Sequence, residues 1–508
     1  VEVHPYSNQR LVELLSREGG GDPGVIGLKA HVDYFSTYFA ALHASTIVVE
    51  DGYIDRYFLE DFAGYYVRCS RPYKRECLRL HFFSHQFNQA TFRAVLEGNT
   101  TQLSHQTLAR TYLGFVVVKP LPKTMVGRTC LKTYKGGRRT FPITREYKVN
   151  LFGIPLSVRT LAFQEQDSVA AACATSSLWS AFHGTGRLFH HAIPSPHEIT
   201  RRATETLPAN TRNFPNYGLS YEQMAQAIRS VGLEPYLVGA GDHIMLKRTL
   251  YAYLSASIPV ILGIRLYHQM QFNGKHAVTA TGFRLSPAIH QAQGFVLNAD
   301  RMIRVYVHDD QVGPFARMLF EVGQILDRNN NPINVDCLST SFGGPSQPHI
   351  AVAENLLIPL MDMIRIPFKL VHDTTLMFHV VIVWLMSVSN LQGLNLIWDI
   401  KLRTVSEFKL GLLKDPAISP ATKRRAVLDS LPCFVWIVTL KNGDNNLVDF
   451  VFDTTDLEQG RLLLSHVPYD DAFFAWLRAG CDFANTDPAA DPLRTEKVWS
   501  IVDYIRNT

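Results

Sequence analysis

The stretch QDSVAAACATSSLW, residues 166–179, decides how this chain is read. Small side chains lead up to Cys173, and Leu178, Trp179 and Phe182 then follow at a spacing that gives a helix one inward face. The pattern predicts a helix from Cys173 to about Phe182, closed at His183-Gly184. The first turn of a helix leaves backbone N–H groups without partners, and their dipoles favour negative charge. A thiol placed there is drawn toward the thiolate, the form that attacks carbonyl carbon. The plain alternative is a small buried hydrophobe, the ordinary role of a cysteine among alanines. The loop SVAAA before the helix would let a substrate backbone approach the sulfur.

Thiol catalysis needs a histidine to move the proton and a third group to orient that histidine. The histidine candidate is His276 in NGKHAVTATGF, residues 273–283, read as the first residue of a buried strand after a Gly-Lys turn. Asp309, in RVYVHDDQVG (304–313), ends the next strand and is the orienting candidate. Asp310 is an alternative, because side chains alternate between strand faces and one of the pair should face the histidine. Asn298 in FVLNAD is a third choice, and His308 is expected on the opposite face from Asp309. Gln166, seven residues before Cys173, can donate an amide hydrogen to an oxyanion.

Taken together, QDSVAAACATSSLW, GKHAVTATGF and VYVHDD resemble the papain-like cysteine peptidases, and within them the bacterial C39-like branch. The helix SYEQMAQAIRSVG and the strand SIPVILGI stand in the same order as in that branch. The resemblance covers about residues 160–315 and implies a papain-like core. It also implies Cys173 as nucleophile, His276 as general base and acid, Asp309 as its orienting partner and Gln166 in the oxyanion hole. The sequence departs from that pattern in three places. Asp167 stands where the family's Gln is usual, so Gln166 needs a one-residue bulge. Cys173 is followed by Ala-Thr rather than Gly. The long gap from His276 to Asp309 demands an insertion near LSPAIHQAQ (285–293).

The 508 residues exceed one ordinary core and are read as three regions. Residues 1–155 form an aromatic-rich α+β region, with YLGFVVVKPLP (112–122) a strand closed by prolines and GGRRTFPIT (136–144) a turn and strand. Residues 156–320 hold the candidate core: helices at 195–207, 220–232 and 243–257 precede strands at 258–266, 276–284 and 304–310. The Ser220–Gln223 capping box and Gly232 bound the second of these helices. Residues 321–508 form a further α+β region, with loops at NNNP (329–332) and FGGPSQP (342–348), strands at 434–440 and 447–453, and helix at 469–479. Helices first and strands later give an α+β class.

Composition narrows the function classes. A net charge of +5 and two short basic clusters, KGGRR (135–139) and KRR (423–425), give no nucleic-acid footprint. Seven cysteines without a CxxC argue against a zinc cluster or a disulfide framework and favour a reducing, cytoplasmic compartment. The N-terminal stretch VEVHPYSNQR has no apolar signal core. The most apolar run, LMFHVVIVWLM (376–386), has eleven residues, too few to span a bilayer, and is read as a buried strand or core helix. The histidines of FHH (189–191) and PHE (196–198) lack a carboxylate at ligand spacing, and Asp453 and Asp456 in VFDTTD suit a capped turn. The expectation is a cysteine peptidase acting on peptide or isopeptide bonds, with no metal and no organic cofactor. Its partners would be a protein or peptide substrate and a regulatory protein, with neither nucleic acid nor membrane. Two rivals share the triad or the fold: a transglutaminase- or acetyltransferase-like acyl transfer, and an inactive interaction protein.

Overall fold

The computed structural model describes residues 1–134, 136–167, 172–205, 218–287, 294–342, 349–458 and 462–508. It is a mixed α+β chain with antiparallel sheets. Contacts group it into two units: one of residues 1–243, 257–284 and 304–360, the other of 244–256, 285–303 and 361–508. The boundaries expected at 155 and 320 fall inside the strands Ile154–Thr160 and Gly313–Leu326. Pairing between distant strands draws these units, and composition carries no mark of it.

In the first unit, five strands (Glu2–Pro5, Thr46–Tyr53, Cys77–Phe83, Tyr112–Val118 and Val126–Leu131) form an antiparallel sheet in chain order. Of the inner three, 77–83 and 112–118 are buried throughout. Phe39 stacks on Phe82 of this sheet at 4.1 Å, and other residues of the sheet share a core with the cysteine helix. One cluster joins Val48, Phe83 and Val117 to Trp179 and Phe182 of the cysteine helix and to Ala277 beside the histidine. Tyr57 meets Trp179 edge-on at 5.2 Å.

The other large sheet carries the histidine. Val260–His268, Gln271–Leu285, Met302–Asp309, Gly313–Leu326, Pro332–Thr340 and His349–Leu360 pair in sequence. The last then returns to the first, with Ile261 opposite Leu357 and His268 opposite His349. The six strands therefore close into a circuit, which removes the exposed edges of an open sheet. Glu234–Gly239 adds to the outer side of 349–360, and Arg139–Thr140 pairs with the end of the histidine strand. Three of the six strands lie beyond residue 312, outside the strands the sequence reading marked.

Helix signals translate closely. Ser195 caps Pro196–Ala203, and Ser220 and Gln223 form a reciprocal capping box on Tyr221–Arg229. The cysteine helix runs Cys173–Leu188, past the expected stop at His183-Gly184. Glycine inside a helix costs about 1 kcal/mol against alanine. It is accepted here because a Cβ on Gly184 would lie 2.7 Å from Ile143 Cγ2.

The second unit has an antiparallel sheet of Leu396–Thr404, Phe434–Asn442, Asn445–Phe452 and Leu463–Pro468. The run 376–386 lies in the helix Phe368–Val388, whose buried Val371, Thr375, Phe378, Ile382 and Leu385 follow helical spacing. That helix has 21 residues and its most apolar 18-residue window a mean hydropathy of 1.5, long and apolar enough to cross a membrane, a length the eleven-residue run did not reveal. Half of its most apolar window is buried. Trp398 Nε1 donates to His379 Nδ1 at 3.2 Å, and Trp436 Nε1 to the Ile366 carbonyl at 2.9 Å. Asp453 caps its turn by accepting from the amides of Thr454, Thr455 and Asp456.

Candidate active site

Cys173 is the first residue of its helix, after Ala172, whose side chain offers no cap. The helix amides there face whatever the sulfur faces. Residues i and i+4 share a helix face, so Ser177 stands one turn below Cys173. Its Oγ donates to the Ala277 carbonyl at 2.7 Å, while Thr279 Oγ1 donates to the Ser177 carbonyl at 2.8 Å. These two bonds lock the cysteine helix to the histidine strand at the residue after His276. Register therefore follows from the Ser177 and Thr279 hydroxyls, neither of which the sequence reading singled out.

His276 is the sixth residue of Gln271–Leu285, not its first. The turn before that strand is Gln269-Met270, both at positive φ. Side chains of that kind rarely mark such a turn, so Gly274-Lys275 drew the prediction instead. Burial still begins at His276: residues 271–275 are exposed or half-buried and 276–283 buried.

The ring is held from two sides. His276 Nε2 lies 3.0 Å from Asp309 Oδ1 and 3.4 Å from Asp310 Oδ1. Cys173 lines the same cleft as the ring and is among the groups that raise its pKa. With Nε2 engaged by the carboxylates, Nδ1 is the nitrogen left for the thiol. Burial by itself would push the imidazole pKa down. The Asp309 charge and hydrogen bond, the thiol, and the Asp310 charge outweigh it and hold the ring well above its ordinary value. The site therefore favours the imidazolium, the partner a thiolate needs.

Strand alternation predicts that one of Asp309 and Asp310 faces the histidine, yet both do. The strand ends at Asp309, an irregularity interrupts its register after Val307, and Asp310 stands on the turn. The two-residue period stops where the prediction relied on it. His308 points away, as alternation requires within the strand. Phe315 N–H donates to its Nδ1 at 3.1 Å, so its Nε2 donates to the Leu161 carbonyl at 3.2 Å. Burial drives its pKa down to about 3 and keeps it neutral.

Asn298 lies in the second unit, where its amide donates to Tyr251 Oη at 2.8 Å and its carbonyl accepts from Arg301. The His276 ring is thus oriented by carboxylates rather than by this amide. Gln166 is half-buried between buried Glu165 and Asp167. Among the described residues its amide makes no hydrogen bond, and no contact described ties it to Cys173. The SVAAA loop falls on residues 168–171, and the insertion near 285–293 and the FGGPSQP loop fall on 288–293 and 343–348, all outside the described residues.

A cleft of about 340 Å³ opens beside Cys173 and His276. Leu219, Tyr221, Met224, Ile261 and Ile264 give it an apolar floor, and Lys275 and Glu354 stand at its rim. Glu354 pairs with Arg265 and lies 3.8 Å from Lys275, so its charge is balanced. Tyr221 crosses the strand 260–268 at Gly263, where a Cβ would meet its Oη at 1.8 Å. His276, Asp309 and Asp310 thus bring their polar side-chain atoms within 4.8 Å of one another. None of the seven cysteines is in a disulfide.

No protein-family model matches the chain, and no curated protein is detectably similar to it.

Proposed function

We propose that the protein is a cysteine peptidase with a papain-like core, hydrolysing peptide or isopeptide bonds through Cys173, His276 and Asp309. One observation carries this reading. A thiol on the first residue of a helix lines one cleft with a buried imidazole whose Nε2 is held by a carboxylate at 3.0 Å. That is the arrangement nucleophilic thiol catalysis requires.

The chemistry follows from the contacts. His276 takes the Cys173 proton, and the thiolate attacks the substrate carbonyl carbon. The oxyanion forms near the unpaired amides of the helix start, with the Gln166 amide as a further donor. The C–N bond breaks as the imidazolium gives its proton to the departing amine, leaving an acyl thioester on Cys173. Water then attacks the thioester, His276 takes the water proton, and the acid leaves as the thiol is restored. Asp309 keeps the ring oriented and its charge balanced throughout. The apolar cleft would take a substrate side chain next to the scissile bond. Free cysteines throughout suit a reducing, cytoplasmic setting.

The test is hydrolysis of a fluorogenic peptide library, with acyl-enzyme trapped by acid quench and mapped by mass spectrometry. The reading expects turnover, a thioester on Cys173, and loss of both in Cys173→Ala. Turnover that survives Cys173→Ala, or none on any peptide or isopeptide substrate, contradicts it.

A further inference from the structure

Asp310 is buried, and among the described residues neither of its carboxylate oxygens has a hydrogen-bond partner. Its nearest cation is His276, with Nε2 at 3.4 Å. A carboxylate taken from water without such bonds is costly, so its placement needs a cause. The surrounding structure fixes it there. His31, on the helix Ala30–Ala41, donates through Nε2 to the Asp310 carbonyl at 2.9 Å. Tyr34, one turn further on, donates to the Pro314 carbonyl at 2.5 Å. One helix of the N-terminal region therefore braces both sides of the turn that carries the two carboxylates. Asp309 satisfies itself locally, its Oδ1 also accepting from Gln311 N–H at 3.0 Å. Asp310 does not.

We propose that Asp310 is a second positioning carboxylate, which shares His276 Nε2 with Asp309 and sets how firmly the imidazolium is held. The proposal rests on the Cys173–His276 reading above for its catalytic meaning, though not for its geometry. The groups facing Asp310 are His276 on its strand, Asp309 beside it, His31 on the bracing helix, and Glu165, which pairs with Lys29. Burial pushes the Asp310 carboxyl up; the His276 charge opposes that, while Asp309 and Glu165 add to it, and the result is about 7. Below that pH Asp310 is neutral and Asp309 alone balances the imidazolium. Above it a second negative charge stands 3.4 Å from Nε2 and holds the proton on the ring. The pair thus keeps His276 charged further into the alkaline range than one carboxylate would.

The experiment is an NMR titration of ¹⁵N-histidine-labelled full chain, with His276 assigned by its loss in His276→Gln. Asp310→Asn should lower the pH at which His276 loses its proton by roughly one to three units, the effect of removing a charge in contact. An unchanged His276 titration in folded Asp310→Asn overturns the proposal. If that variant does not fold, the wild-type curve decides: a second inflection near neutrality supports Asp310 ionisation beside the ring, and a single-step curve overturns it. A purely structural role for Asp310 would move the melting temperature and leave the titration in place. Failure of the peptidase reading would show separately, as Cys173 alkylation indifferent to His276→Ala.

Discussion

At the scale of single residues, His276 has two jobs that its two nitrogens divide. Nε2 answers to the carboxylates, and Nδ1 is left for the sulfur. Asp309→Asn keeps the shape but removes the charge, so turnover should fall roughly 100-fold or more while KM changes little. Equal turnover in the variant, measured by peptide hydrolysis, would remove Asp309 from the mechanism. His308 is the control beside it. Its ring satisfies two backbone groups, and losing them should cost about 1–3 kcal/mol each. His308→Phe should therefore lower the denaturation midpoint without moving the pH profile of Cys173 alkylation. That Cys173, His276 and an acid after the next strand lie near one another was legible because each needs its own chemical type in its own local pattern, but the choice among Asp309, Asp310 and Asn298 was left open. Asp310 was weighed only as a substitute for Asp309. The end of a strand's period is set by a bulge and a turn, which two adjacent aspartates do not announce.

At the scale of elements, the site depends on how one helix seats on one strand. Ser177 and Thr279 carry that seating through two hydrogen bonds. Ser177→Ala should cost about 1 kcal/mol of stability. It should also slow Cys173 alkylation near neutral pH more than it weakens folding, because the thiol loses its register with the ring. Urea titration and alkylation rates measured together check this. The cleft offers a second element-scale test. Gly263→Ala would push Tyr221 aside, so peptide KM should rise several-fold while small-reagent alkylation of Cys173 stays the same. Unaltered KM would place substrate elsewhere. Helix boundaries were readable from Ser195, Ser220 and Gln223, whose caps act within one turn. The overrun at Gly184 was not, because its reason is Ile143, far away in sequence.

At the scale of the molecule, the histidine sheet is completed by chain well beyond the site. The strands Pro332–Thr340 and His349–Leu360 close its circuit. A chain ending at residue 320 should therefore lose cooperative unfolding and selective Cys173 reactivity together, as circular dichroism and alkylation would report. The α+β class was visible in the order of helices and strands. The circuit and the two discontinuous units were not, since they rest on pairings between segments about a hundred residues apart. Buried neutral histidines add a pH signature to the first unit. Burial lowers His81 to about 4 and His308 to about 3. Both bind protons in the unfolded chain near 6.5 but not in the fold. The stability they contribute is present above that pH and lost as pH falls toward their folded values. The loss is about 1.4 kcal/mol per pH unit for each ring. Urea midpoints should drop steeply between pH 6.5 and 4 and less so in His81→Phe; a flat profile over that range contradicts the burial of these rings.

The most direct test of the central claim is site-resolved alkylation by iodoacetamide at neutral pH, with all seven cysteines quantified by mass spectrometry in wild type and His276→Ala. A thiol coupled to a charged imidazole predicts Cys173 as the fastest site by at least about tenfold, falling to the level of the other accessible cysteines in the variant. Cys173 reacting no faster than exposed Cys433, or equally fast without His276, would contradict the account.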